Sequence, residues 1–292
     1  MRSGKEISAY LKNHPNLYFT VHNKKVVLGL SMFLFFALLA LLGTLLTPYN
    51  YSDIAGGSAL PPNAKHILGT TQLGEDVFSQ VIYGLRATFI TGLIAGGLAT
   101  LIGISVGFLA GYYGGSLLDE GLMMITNIML VIPIIAVLVI ISAYLRHLSV
   151  FIQALIIGSY NWPWVARAVR AQTLAIKNNP YVNLSHISSI PISRIIREDI
   201  AFNMFSYIFM AFILQFSGSV LAAATLDFIG VGPTQGISLG LIMRFAILAG
   251  AILHGYWWWM IIPGLILTLL IVSLYLINTG LDEVFNPRLR EL

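Results

Sequence analysis

Apolar residues run along this chain in long uncharged blocks, with polar residues gathered between them. The first block, 26–46, contains no charge and is long enough to cross a bilayer core of about 30 Å. Pro48 ends it. Further blocks at 87–109, 122–143, 150–165, 200–226 and 260–277 predict five more spans. Pro133 predicts a kink in the third. The fourth is short, and its polar end, with Asn161 and Pro163, runs into the longest polar interval of the chain. Residues 239–255 are apolar but short and carry Arg244 and His254, which predicts a re-entrant or interfacial helix on the outer side. Residues 48–86 are polar, rich in Gly and Pro, and too long for a simple connection. They are expected to fold against the far side of the membrane.

Within 87–109 and its exit, Gly92, Gly96, Gly103, Gly107 and Gly111 fall at small-xxx-small spacing, which lets helices approach closely. We read this as packing inside one bundle rather than a homodimer seam. Asp119 and Glu120 open the next helix, where its dipole favours acids. Trp257, Trp258 and Trp259 fit an interfacial aromatic belt, with an exposed stacking platform as the alternative.

The polar interval 162–203 is the part the rest is arranged to hold. It carries Arg167, Arg170, Lys177, Arg194 and Arg197 against only Glu198 and Asp199. Pro180 and Pro191 bracket one short predicted helix, 181–189. Its residues Tyr181, Val182, Asn183, Leu184, Ser185, His186, Ile187 and Ser189 form a small element on a basic loop, which suits docking rather than catalysis. Leu184 and Ile187 share a face at i and i+3.

Composition supports this picture. The chain is 57% hydrophobic and 10% charged, against about 25% charged in soluble domains. With a mean hydropathy of +0.84, it reads as an all-α integral membrane protein. The pI near 9.3 fits membrane orientation better than nucleic acid, because the cations are dispersed between apolar runs. There is no cysteine, hence no disulfide, thiolate metal site or cysteine nucleophile. The polar, mixed start predicts no cleavable signal peptide.

Charge also orients the spans. With six spans and both termini inside, Arg2, Lys5, Lys12, Lys24 and Lys25 are cytoplasmic, as are the five cations of the polar interval and Arg288 and Arg290. Only Lys65, Arg86, Arg146 and Arg244 fall outside, as the positive-inside rule prefers. A seventh span would export the tail. The domains are then a cytoplasmic arm (1–25), a transmembrane body (26–280) with outer loop 48–86 and cytoplasmic loop 166–199, and a cytoplasmic tail (281–292).

Catalytic motifs are absent. No G-x-x-x-x-G-K-[ST] run exists, so the chain is not expected to hydrolyse a nucleotide. No H-E-x-x-H or G-x-S-x-G occurs, and the six histidines lack metal-ligand spacing. No predicted span centre holds the ionisable group a proton-coupled carrier needs. The chain reads as a pore whose energy comes from elsewhere.

Several segments resemble the second permease subunit of bacterial ABC importers of the oligopeptide/dipeptide/nickel family. They are His66-Ile67-Leu68-Gly69-Thr70 with Gly74, Asp76 and Tyr83-Gly84-Leu85-Arg86; Gly111-Tyr112-Tyr113-Gly114-Gly115 with Asp119; and Trp164-Val165-Ala166-Arg167-Ala168-Val169-Arg170 with Tyr181-Val182. Leu226-Asp227-Phe228-Ile229-Gly230-Val231-Gly232 and Asn286-Pro287-Arg288-Leu289-Arg290 complete the set. The similarity runs in order from about residue 26 to 290.

The resemblance implies a six-span type I importer permease in the bacterial cytoplasmic membrane, paired with a homologous second permease. It implies two cytoplasmic ATPase subunits beneath and a substrate-binding protein outside. ATP and Mg would then be held by those partners, with no cofactor on this chain. The 181–189 element would be the coupling helix, with Arg167, Arg170 and Arg194 on its loop, passing a rigid-body push to the spans. Peptide is the implied cargo, with oligosaccharide as an alternative. A stand-alone channel or secondary carrier is the alternative of another class. The chain departs from the family where Asn183-Leu184-Ser185 replace Glu-Ala-Ala, Ser189 replaces glycine, Thr71 and Glu75 replace an acid and a base, and Asp227 replaces a small uncharged residue. Arg194, Ile195, Ile196 and Asn203 keep the pattern.

Overall fold

The computed structural model describes residues 19, 20, 22–145, 147–188 and 190–285. The expectations for most of the N-terminal arm, for Arg146, for Ser189 and for the tail from Asn286 fall outside them. The described residues are helical, with isolated bridges but no named strand.

Helix α1 (Lys24–Leu42) starts at Asn23, whose side chain accepts from the backbone N–H of Lys25 and Val26 and so satisfies two donors that the first turn leaves open. Helix α2 (Val77–Tyr112) has 36 residues and extends past the predicted span at both ends. Helices α3 (Leu117–Val131) and α4 (Ile134–Tyr144) occupy the third predicted span but meet at 80°. The break is local chemistry: Ile132 is extended, at φ −75° and ψ 124°, the conformation forced on a residue before proline.

Helix α5 (Val150–Lys177) continues well beyond the predicted fourth span, so the first third of the polar interval is helical. Helix α6 (Pro180–Ile187) follows, with proline at its first position, where a missing N–H costs nothing. A single turn, Ile192–Arg194, runs into a π-helical stretch, Ile195–Ala201. Helix α7 (Phe205–Ile229) ends at Gly230, whose φ of 102° is easily reached only by glycine. Helix α8 (Leu239–Leu248) has ten residues, about 15 Å of rise, too short to span. Helix α9 (Trp257–Phe285) closes the bundle.

Among the described residues, four helices are long and apolar enough to cross a membrane: α1 with its following 3-10 turn, α2, α7 and α9. The α3–α4 pair makes a fifth if counted as one bent span. Helix α5 is left out of that set by its polar inner half. Its apolar start, 150–165, is shorter than the roughly 20 residues a perpendicular span needs.

The glycine face of α2 changes partner along its length. A Cβ on Gly96 would lie 2.8 Å from the Phe216 backbone, and one on Gly92 would meet the Phe216 ring, both on α7. Further on, a Cβ would lie 2.6 Å from Val165 Cβ at Gly103, 2.7 Å from Val169 Cβ at Gly107 and 2.6 Å from Thr173 Cβ at Gly111, all on α5. The glycines are therefore an internal seam. Phe216, Val220, Leu239, Ile242 and Trp258 centre one core toward the segment before α2. Phe108, Tyr112, Val165, Val169, Ile195 and Ile200 centre another at the opposite end.

The expected outer segment is compact. His66 is buried, with Nδ1 2.9 Å from Asp76 Oδ1, and Asp76 caps α2 through Oδ2, which accepts from Ser79 N at 2.8 Å. The tryptophan belt is corrected: Trp257 alone is exposed, whereas Trp258 and Trp259 are buried and Trp258 Nε1 donates to the Thr70 carbonyl. Docking of the outer segment onto α9 covers those two rings.

Candidate functional site

The polar interval folds into a knob of α6, the following turn and the π-helical stretch. It packs on the ends of α2 and α5. Val182 is fully buried and joins the cluster of Tyr112, Val169, Ile195 and Ile200. The other face of α6 behaves oppositely. Leu184 and Ile187 are 63% and 79% exposed, and Tyr181 is also exposed. Positions 181, 184 and 187 thus form an apolar stripe at i+3 spacing, held outward by one buried anchor. Ser185 is half-buried and its hydroxyl donates to the Tyr181 carbonyl. Asn183 and His186 lie on the same helix. Ser189 is outside the described residues.

The cations are more committed than their spacing suggests. Arg170 lies in α5 and grips Asp119 on α3 with two parallel hydrogen bonds, Nε to Oδ1 at 2.5 Å and Nη2 to Oδ2 at 2.6 Å. Asp119 is buried, and its Oδ2 also accepts from the Gly115 N–H. Arg167 Nη2 donates to Asn127 Oδ1 at 2.7 Å, a second tie between α5 and α3. Lys177 Nζ donates to the Tyr112 carbonyl and lies 5.3 Å from the centre of the Tyr112 ring. A cation there caps the negative end of α2. Arg167 and Arg170 therefore brace the bundle from a helix, where the sequence reading put them in a loop.

Arg194 and Arg197 differ. Both are exposed and both donate to Glu198, at 2.8 Å and 3.0 Å. The Arg194 hydrogen bond, followed by that of Arg197, holds the Glu198 carboxyl below its ordinary range. A surface cluster of this kind adds little stability but keeps charge beside the apolar stripe.

A second constellation escaped the sequence reading. Asp227, near the end of α7, is buried and accepts from Gln153 Nε2 on α5 at 2.6 Å and from the Ser238 hydroxyl before α8. Its partners lie 74 and 11 positions away, so no local periodicity could have signalled them. Two adjoining hollows flank α5, one against α7 and α9 and the other against the α3–α4 break. One, of about 370 Å³, is lined by Asn161, Trp164, Leu214, Gln215, Gly218 and Tyr275. The other, of about 250 Å³, includes Pro133, Tyr160, Asn161, Pro163 and Trp164. Gln215 Nε2 donates to the Asn161 carbonyl at 3.0 Å.

Among the described residues, no group of three or more His, Cys, Asp or Glu could hold a metal ion. The exposed side of the knob is part apolar and part charged.

Comparison with known proteins agrees in register. The family described as binding-protein-dependent transport system inner membrane component matches residues 103–291. The N-terminal transmembrane domain of oligopeptide transport permease C matches residues 21–62. The chain is 31% identical over 271 residues to the dipeptide transport system permease protein DppC of Bacillus subtilis, covering 92% of this chain and 83% of that protein. It is 28% identical over 286 residues to DppC of Haemophilus influenzae, covering 94% of each. It is 26% identical over 275 residues to the oligopeptide transport system permease protein OppC of Mycobacterium tuberculosis, covering 93% of each.

Proposed function

We propose, for a chain that belongs to the family of binding-protein-dependent transport system inner membrane components, the role of a permease subunit in an ATP-driven peptide importer. It forms half of the translocation path and does no covalent chemistry. The observation that carries the mechanism is the split character of α6: Val182 is locked into the bundle while Tyr181, Leu184 and Ile187 face outward. An apolar stripe on a water-facing knob is costly unless a partner covers it. The buried anchor makes the knob move with α2, α5 and α7.

In this reading α6 seats in a cytoplasmic ATPase subunit. Nucleotide binding draws the ATPases together, α6 follows, and α5 and α7 reorient so that the face bearing Trp164, Gln215 and Tyr275 opens outward. ATP and Mg belong to the partners. A homologous permease supplies the other half of the path, and an external binding protein delivers cargo. Peptide is favoured over oligosaccharide because the relatives at 26–32% identity are named for dipeptide, oligopeptide or peptide transport.

The topology we propose has six spans, with α3–α4 as the third and α5 as the fourth, in a bacterial cytoplasmic membrane with both termini inside. Its support is the meeting of α1's start with α9's end, where Asn23 Nδ2 donates to Glu283 Oε2 at 2.8 Å. Two helix ends in contact lie on one side of the bilayer, which requires an even number of crossings.

The test is purification through a tag on this chain. A second six-span permease and two ATPase subunits should co-purify, with ATP turnover stimulated by a peptide-loaded binding protein. Transport by this chain alone in liposomes would overturn the assignment in favour of a channel or carrier.

A further inference from the structure

A further hollow lies on the face opposite α6 and belongs to none of the machinery so far discussed. It has a volume of about 860 Å³ and is bordered by the folded segment before α2, the start of α2, residues 234–237, α8 and the start of α9. That is within the usual range for small-molecule sites, roughly 300–1,000 Å³. Its lining includes Tyr51, Glu75, Gln80, Gln235, Phe245 and Trp259.

The electrostatics of this wall are one-sided. Among the described residues, Glu75 is the only carboxylate that lines it, and no Lys, Arg or His does. The carboxylate is oriented: Glu75 Oε2 accepts from Thr71 Oγ1 at 3.1 Å and from Gln80 Nε2 at 2.9 Å. Gln80 is itself buried and tied to the Tyr51 carbonyl. Glu75 forms no ion pair among the described residues. Two further polar atoms of lining residues, Gln80 Oε1 and Trp259 Nε1, are buried without a hydrogen-bond partner among the described residues. An aligned carboxylate with no counter-ion, beside aromatic rings, selects for a cation. A bare metal ion does not fit, because one carboxylate in a space of this size cannot complete a coordination shell. An anion would meet the Glu75 charge uncompensated.

We propose that this cavity binds the amino terminus of a short peptide, with Glu75 as counter-ion to the ammonium group. The rings of Tyr51, Phe245 and Trp259 and the amide of Gln235 face the uncharged remainder. The inference rests on the peptide-importer reading and adds to it a preference for free over blocked amino termini.

Two measurements on the tagged complex separate the site from that reading. Uptake of tri-alanine into proteoliposomes containing the complex and its binding protein tests the peptide reading. Equilibrium binding of tritiated tri-alanine and N-acetyl-tri-alanine to the complex in nanodiscs, without the binding protein, tests the site. The free peptide should bind at least about tenfold tighter than the acetylated one, the scale of one charge-assisted contact. Glu75→Gln should abolish that preference, and Glu75→Asp, which keeps the charge, should retain it. Equal binding of the two peptides to the native complex, a preference that survives Glu75→Gln, or displacement by maltotriose would overturn the site while tri-alanine uptake upholds the importer. Absence of tri-alanine uptake would bring down both.

Discussion

Lys25 at the start of α1 and Glu283 near the end of α9 form an ion pair across 258 positions of sequence. Asn23 caps α1 and donates to the same carboxylate. A Cβ on Gly29 would lie 2.6 Å from the Ser273 carbonyl, so the two helices run close together beyond that contact. The first and last spans are zipped at one end.

That zip predicts sidedness. The chain has no cysteine, so single cysteines can be labelled with an impermeant thiol reagent. Cysteine at Asn63 or Gln235 should label from outside. Cysteine at Asn178 or Asp282 should label only from inside. Outside labelling at Asp282 together with inside labelling at Asn178 would overturn the six-span topology.

The stripe on α6 predicts a separation of stability from coupling. Leu184→Asp with Ile187→Asp should leave insertion and thermal stability unchanged, because both side chains are exposed. Association with the ATPase subunits should weaken by about 2–5 kcal/mol, the cost of an unpaired charge at an interface. Transport and binding-protein-stimulated ATP hydrolysis should fall together. Val182→Asp places its charge in the bundle core instead, and should reduce folded yield in membranes before any coupling is measured.

The Arg170–Asp119 pair predicts a non-additive cycle. Arg170→Ala leaves a buried carboxylate without its guanidinium. The loss should approach about 3 kcal/mol, the low end for a broken buried pair, because the Arg170 side chain is 30% exposed. Adding Asp119→Leu should recover much of it. Thermal denaturation in detergent of the two single variants and the double variant measures the coupling. Additive losses would show that the two groups act independently.

The glycine seam predicts a contrast between neighbours on α2. Gly107→Ala forces a methyl against Val169 and the Ala166 carbonyl, and should destabilise by about 1–3 kcal/mol. At Gly97 a Cβ meets nothing within 4 Å, so Gly97→Ala should be neutral or stabilise by about 0.5–1 kcal/mol through the lower chain entropy of alanine. Equal melting temperatures for the two variants would contradict the packing described.

Uncharged length made α1, α2, α7 and α9 legible from the sequence, and the prolines at 133 and 180 marked a break and a start. The direction of that break was not legible, since an 80° turn between α3 and α4 depends on what each half packs against. The inner half of α5 was missed because polarity was taken for loop. Arg167, Arg170 and Lys177 sit on a continuous helix and spend their charge on Asn127, Asp119 and Tyr112, partners 40 to 65 positions away. The position of α6 was readable from its flanking prolines. Which of its apolar residues faced inward was not, because Val182, Leu184 and Ile187 are alike in sequence and differ only in the π-helical stretch packed against the first.

Pro133 and Pro163 line the same small hollow on the α5 face. Pro163, inside α5, has no N–H to give, so the Ser159 carbonyl, four residues earlier, loses its ordinary helical donor. Helix α5 is thereby left with a spare main-chain acceptor one turn before that proline. Oxygens of this kind belong to the backbone, and exchanging side chains around them does not remove them.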